Sequence, residues 1–143
     1  LVTGVQTCAL PISIVHTKGN INTHIVLRGT TERPNYYKHC TRKYTTKLKN
    51  RNLNHRFMVD CSHKNSEGNH KEQFNVAKYC TDFYLANNNS EFECIGLMIE
   101  SNIEEGNQPI SPKSSLVYGK SITDKCVNLA ETYTILKYII NHI

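Results

Sequence analysis

Residues Arg56 to Glu100 read RFMVDCSHKNSEGNHKEQFNVAKYCTDFYLANNNSEFECIGLMIE, and their pattern decides the fold class. A short apolar run, a longer helix-compatible segment and a second short apolar run follow one another, which is the signature of a strand-helix-strand unit. The runs predict strands over Arg56 to His63 and Glu93 to Glu100. Between them a helix is expected from about His70 to Ala86, with Phe74, Ala77, Tyr84 and Leu85 broadly on one side and Asn87 to Asn89 as its stop. Upstream, HIVLR (His24 to Arg28) predicts a further strand and about Tyr37 to Lys49 a helix, its buried stripe being Tyr37, Cys40, Tyr44 and Leu48. Downstream, about Ala130 to Asn141 predicts a last helix that buries Ile135, Leu136, Ile139 and Ile140. Repeated strand-helix units build an α/β fold on a parallel sheet. That sheet is either doubly wound or part of a (β/α)8 barrel, and since a barrel takes roughly 250 residues, three units are less than half of one.

Both architectures place function at the C-terminal ends of parallel strands. The predicted strands end in Arg28, His63 and Glu100, so a cation, an imidazole and a carboxylate converge on one rim. Strand alternation sets Ile25 and Leu27 opposite to Arg28, and Ile95, Leu97 and Ile99 opposite to Glu100, so the apolar sets can face covering helices. The middle strand is less regular: parity with His63 puts Asp60 and Ser62 on the helix side, so a bulge or the strand's end is expected there. Each residue has an ordinary alternative. His63 can be a hydrogen-bonded structural histidine, Arg28 half of a surface ion pair, and Asp124 the cap of the last helix. Glu100, after a largely apolar run, requires a partner, which a metal ion can provide.

The 143 residues carry 17 Lys and Arg against 12 Asp and Glu, a net +5, and are 38% hydrophobic, as for a globular domain rather than a disordered chain. Basic residues gather in Lys38 to Arg51, but without a nucleic-acid-binding motif the run reads as a solvated helix face. The six cysteines are irregularly spaced with no C-x-x-C pair, so they read as reduced cytosolic thiols. The longest apolar stretches, IGLMI and ILKYII, are far below the roughly 18 to 20 residues of a membrane span, and a cytoplasmic location is expected. Leu1 to Ile12, LVTGVQTCALPI, lacks the basic n-region of a secretion signal. Its last eleven residues resemble the translation of a short-read sequencing adapter, so residues 1–12 are expected to be non-native and residues 13–143 to be the protein proper.

IVHTKGN, HIVLRG, PNYYKH, MVDCSHKNS, GLMIESNIEEGNQ and YGKSITDKC occur in the order and approximate spacing of the C-terminal part of class I, metal-dependent 3-deoxy-7-phosphoheptulonate (DAHP) synthases. This resemblance covers essentially residues 14 to 136. It implies a (β/α)8 TIM barrel of which the chain supplies the sixth, seventh and eighth strand-helix units. The implied reaction is the aldol-like condensation of phosphoenolpyruvate with erythrose 4-phosphate, the first step of aromatic amino-acid biosynthesis. The family's metal ligands map onto His63, Glu100 and Asp124, with a cysteine from an earlier strand as the fourth, and Arg28 maps onto an arginine that grips the phosphoenolpyruvate phosphate. His63 and Arg28 are thereby the expected catalytic pair. Such a mixed ligand set suits Mn, Fe, Co or Zn. The intact enzyme is expected to be a homo-oligomer, with no nucleic-acid or membrane partner, and the fragment alone inactive; a non-catalytic pseudogene remnant or truncated product is the alternative. Lys64, Leu129 and the extra residue in RGTTERPNY depart from the family pattern.

Overall fold

The computed structural model describes residues 16–86 and 91–143. The adapter-like residues 1–12 and the Asn87 to Asn89 stop lie outside the described residues. Three strands, β1 (Ile25–Leu27), β2 (Phe57–Asp60) and β3 (Cys94–Met98), form one parallel sheet in the order β1-β2-β3. Helix α1 (Lys38–Lys49) links β1 to β2, helix α2 (Gln73–Cys80) links β2 to β3, and α3 (Leu129–Ile140) closes the described chain. The α/β class read from the alternation is thus present, with all three strands running the same way.

Ile25, Leu27, Phe57, Val59, Cys94 and Leu97 turn one side of the sheet onto the helices, where they meet Val76, Ala77, Cys80, Tyr84 and Ile135 in a single core. The other side is open: Val26 is 41% and Met98 39% exposed. Ile95 does not share the side of Leu97 and Ile99. Phe57 pairs with Cys94 but Met58 pairs with Gly96, so Ile95 is the extra residue of a bulge, and it is left 45% exposed.

Each helix buries a face somewhat rotated from the expected one. In α1 the deepest residues are Cys40, Thr41 and Thr45, while Tyr37 is 39% exposed. Polar threonines fit there because Thr41 Oγ1 donates to the Lys38 carbonyl and meets Tyr84 Oη at 3.0 Å. The second helix runs as a 3-10 turn (His70–Glu72), then α2, then a π-helical stretch (Thr81–Leu85), and buries Gln73, Val76, Ala77, Cys80, Thr81 and Tyr84. That is a regular three-and-four spacing with a glutamine at its head. In α3, Ile135 is buried and Ile139 packs on the core, but Leu136 and Ile140 are 47% and 69% exposed. Together with Leu129 and Tyr133 they form an outward apolar stripe.

Two short strands that the sequence pattern did not predict, β4 (Glu104–Asn107) and β5 (Lys120–Ser121), pair in parallel beyond β3. They fasten the segment before α3 to the segment after Glu100. Among the described residues no helix is long and apolar enough to cross a membrane.

Candidate metal centre

Chain direction brings the site together. Because β1, β2 and β3 are parallel and adjacent, Arg28, His63 and Glu100, one, three and two residues past their ends, lie along the same edge of the sheet. The expected strand over Arg56 to His63 ends early, at Asp60, and the chain turns at once: His63 has φ +50°, a left-handed conformation rare for a residue with a side chain. The turn is held by Ser62 N–H donating to Asp60 Oδ1 at 2.8 Å, and by Asn65 Nδ2 donating to the carbonyls of Asp60 and Leu27, both at 2.8 Å. Asn35 and Gly29 extend the network: Asn35 N–H donates to Asn65 Oδ1, and Gly29 N–H to Asn35 Oδ1. Gly29 itself has φ +88°, and a Cβ there would lie 2.5 Å from Lys64 Cβ, so only glycine lets the two loops approach.

The turn directs the imidazole inward. His63 Nε2 lies 3.5 Å from Glu100 Oε1 and 3.4 Å from Asp124 Oδ2, and one ligand atom from each of the three falls within 4.8 Å of the others. The other ring nitrogen, Nδ1, is 2.7 Å from Asp60 Oδ2, close enough for a hydrogen bond though not aligned for one. Glu100 is fixed from several directions. Ser62 Oγ donates to its Oε2 at 2.8 Å, and buried Gln73 clasps its backbone, accepting from the N–H at 2.9 Å and donating to the carbonyl at 3.2 Å.

Asp124 comes from a bend that the ESNIEEGNQ segment positions. Asn107 Nδ2 donates to the Thr123 carbonyl, Gln108 Nε2 to the carbonyls of Val117 and Lys120, and Gly106 exchanges backbone hydrogen bonds with Cys126. Helix capping does not account for Asp124: the N-cap of α3 is Asn128, in a reciprocal capping box with Glu131. The His63 ring lies between Asp60 on one side and Glu100 and Asp124 on the other. An imidazole nitrogen and two carboxylate oxygens at this spacing form a donor set that fits a divalent transition ion, with the imidazole favouring one over an all-oxygen Mg site.

Arg28 makes no ion pair with the carboxylates of this trio. It is exposed at the end of β1, and among the described residues its guanidinium has neither ion pair nor hydrogen bond. A cavity of about 190 Å³ adjoins the trio, lined by Ser62, His63, Ser66, His70, Asn107 and Asp124 among others. Both ring nitrogens of His70 are buried there without a hydrogen bond, and its nearest carboxylate oxygen, on Glu105, is 3.8 Å away. The neighbouring thiols are kept neutral. Burial pushes Cys61 up to about 12, with the Asp60 charge adding to it, and pushes Cys94 up to about 11.

The model of the DAHP synthetase I family matches residues 2–137, nearly the whole chain. The chain belongs to that family. Among its relatives are the tyrosine-inhibited phospho-2-dehydro-3-deoxyheptonate aldolase of Schizosaccharomyces pombe, 41% identical over 87% of this chain and 34% of that protein, and the Phe-sensitive enzyme of Escherichia coli, 38% identical over 90% and 36%. A solved phospho-2-dehydro-3-deoxyheptonate aldolase from Francisella tularensis superposes with a TM-score of 0.81 at 39% identity, covering 92% of this chain and 37% of that one. The chain therefore spans about a third of the length of the relatives it matches.

Within this DAHP synthetase I segment the fold brings His63, Glu100 and Asp124, three of the four expected residues, within 4.8 Å of one another, and the residues that support them were not expected. Parity with His63 put Asp60 and Ser62 on the helix side, with a bulge or the strand's end expected there. The chain leaves the strand after Asp60, which returns both to the site. Gln73 carried a signal that could have been read: a buried amide at the head of an otherwise apolar helical face needs partners.

Proposed function

We propose that the complete protein containing this chain is a DAHP synthase, condensing phosphoenolpyruvate with erythrose 4-phosphate in the first step of aromatic amino-acid biosynthesis. The observation that carries the reading is the convergence of His63 Nε2, Glu100 and Asp124 at the C-terminal edge of a parallel sheet, in a chain of the DAHP synthetase I family. The remaining strands of a (β/α)8 barrel would cover the open side of the sheet and add the other substrate contacts. A cytoplasmic location and a homo-oligomer of the intact enzyme complete the reading.

In the reaction the C3 carbon of phosphoenolpyruvate forms a bond to the aldehyde carbon of the tetrose phosphate, water adds at C2, and the C2–O bond to phosphate breaks. Arg28, which has no ion pair or hydrogen bond among the described residues, grips the phosphoenolpyruvate phosphate through the planar fork of its guanidinium and holds C3 towards the aldehyde. His63, Glu100 and Asp124 would hold a Mn, Fe, Co or Zn ion, which when bound supplies Lewis-acid polarisation of the aldehyde oxygen. Ser62 and Gln73 keep Glu100 in place, so that little reorganisation is needed when substrate arrives.

The test is the metal-dependent release of phosphate and formation of the seven-carbon acid from the two substrates by the complete protein. Condensation lost on chelation and restored by a divalent ion supports the reading. A folded, metal-loaded protein that forms no product marks it as a non-catalytic relative.

A further inference from the structure

Asp60 holds a place in this site that neither strand parity nor the ligand set assigns to it. Its carboxylate is 2% exposed, with Oδ1 accepting from Ser62 N–H at 2.8 Å and Oδ2 at 2.7 Å from His63 Nδ1. The opposite ring nitrogen, Nε2, is the one facing Glu100 and Asp124. A neutral imidazole carries one proton, and the nitrogen that ligates a cation must be the bare one. A carboxylate can only accept, so Asp60 favours the proton on Nδ1 and leaves the Nε2 lone pair pointing at the two carboxylates.

We infer that Asp60 is a positioning residue for the metal centre, fixing the tautomer and ring orientation of His63. The inference rests on the reading of His63, Glu100 and Asp124 as metal ligands. In this role Asp60 acts on the site only through His63. A carboxylate behind a ligating histidine typically contributes 10- to 100-fold in metal affinity.

Asp60 also stabilises the turn by accepting from Ser62 N–H, and Asp60→Asn separates the two roles. The amide oxygen of asparagine replaces Oδ1 and preserves the turn. Its NH2 group then faces His63 Nδ1, so Nδ1 must become the acceptor and the proton moves to Nε2, where it obstructs the cation. A purely structural Asp60 would tolerate this change, and a tautomer-setting one would not.

The experiment is a competition titration of Mn2+ and of Zn2+ against a chromophoric chelator, on metal-free complete protein, wild type and Asp60→Asn. Thermal unfolding of the same metal-free samples monitors the turn. The expected result is an unchanged unfolding midpoint with affinity for both ions weakened about 10- to 100-fold. Equal affinity in the two proteins overturns the role of Asp60 while leaving the metal site intact. A wild type that binds neither ion overturns the metal reading and this inference with it. Should the variant fail to fold, 15N NMR of histidine-labelled wild type, with His63→Gln to assign the ring signals, answers instead: a proton on Nδ1 of His63 supports the inference and a proton on Nε2 overturns it.

Discussion

Replacing Gln73 by Leu should damage stability and metal binding together, because this one side chain joins the core to Glu100, a proposed ligand. Gln73 is fully buried at the head of α2, and its amide satisfies both backbone groups of Glu100, at 2.9 and 3.2 Å. Leucine leaves no large cavity, so the cost falls on the orphaned Glu100 N–H and on a carbonyl that loses one of its two donors. A buried polar group left unpaired costs about 1–3 kcal/mol. Glu100 retains its bridge from Val127 N–H to its carbonyl, so the carbonyl loss lies at the low end and the total is about 2–4 kcal/mol. The chain at Glu100 would shift, and the carboxylate with it. Thermal unfolding of metal-free complete protein, beside a chelator-competition titration, reads both effects. A Gln73→Leu protein with wild-type midpoint and wild-type metal affinity would refute the claim that the clasp sets the ligand.

Asn128→Ala removes the cap of α3 and should cost about 1 kcal/mol without altering metal affinity; a coincident loss of metal would mean that Asp124 depends on the cap. In the native complete protein at pH 8, Cys61 should resist iodoacetamide: with its thiol held near 12, about one part in ten thousand is thiolate, and rapid labelling seen by mass spectrometry would contradict its burial. The sign is fixed by burial, which disfavours the charged form, so labelling should increase only as the pH climbs or the protein unfolds. The isolated 143-residue chain should aggregate or bind a hydrophobic dye, because Val26, Ile95, Met98, Leu136 and Ile140 are exposed beside two open parallel strand edges. A sharp cooperative melt from a soluble monomer would count against that.

Much of the architecture was legible because parallel strands and amphipathic helices write their periods into the chain. The runs around Val26, Val59 and Leu97 became the three strands, and the three helices fell within a few residues of expectation. What escaped was local departure from period. The Ile95 bulge broke alternation in β3, whereas the strand's end expected near His63 came at Asp60 and leaves Asp60 and Ser62 beside the site. The outward stripe of α3 could not be told from a buried one, since Leu136 and Ile140 are as apolar as Ile135 and Ile139. Strands β4 and β5 carry glutamates, asparagine, lysine and serine rather than apolar alternation, so they had no signal. Their logic lies in amides: Asn107 and Gln108 bind the backbone that presents Asp124. Gly119, with φ +74°, allows Ile103 to approach where a Cβ would sit 2.6 Å from its Cβ. The candidate residues were named because strand ends and family motifs indicated the same positions, whereas the residues that hold them became visible only through their hydrogen bonds.

The central claim is that His63, Glu100 and Asp124 share one divalent ion while Arg28 serves the phosphate. The most direct measurement is metal content by elemental analysis, taken with steady-state kinetics on the same preparations of complete wild-type, His63→Ala and Arg28→Ala protein. His63→Ala should lose metal and condensation together, and Arg28→Ala should keep the metal while the KM for phosphoenolpyruvate rises. A His63→Ala protein with full metal content and full activity would contradict the account.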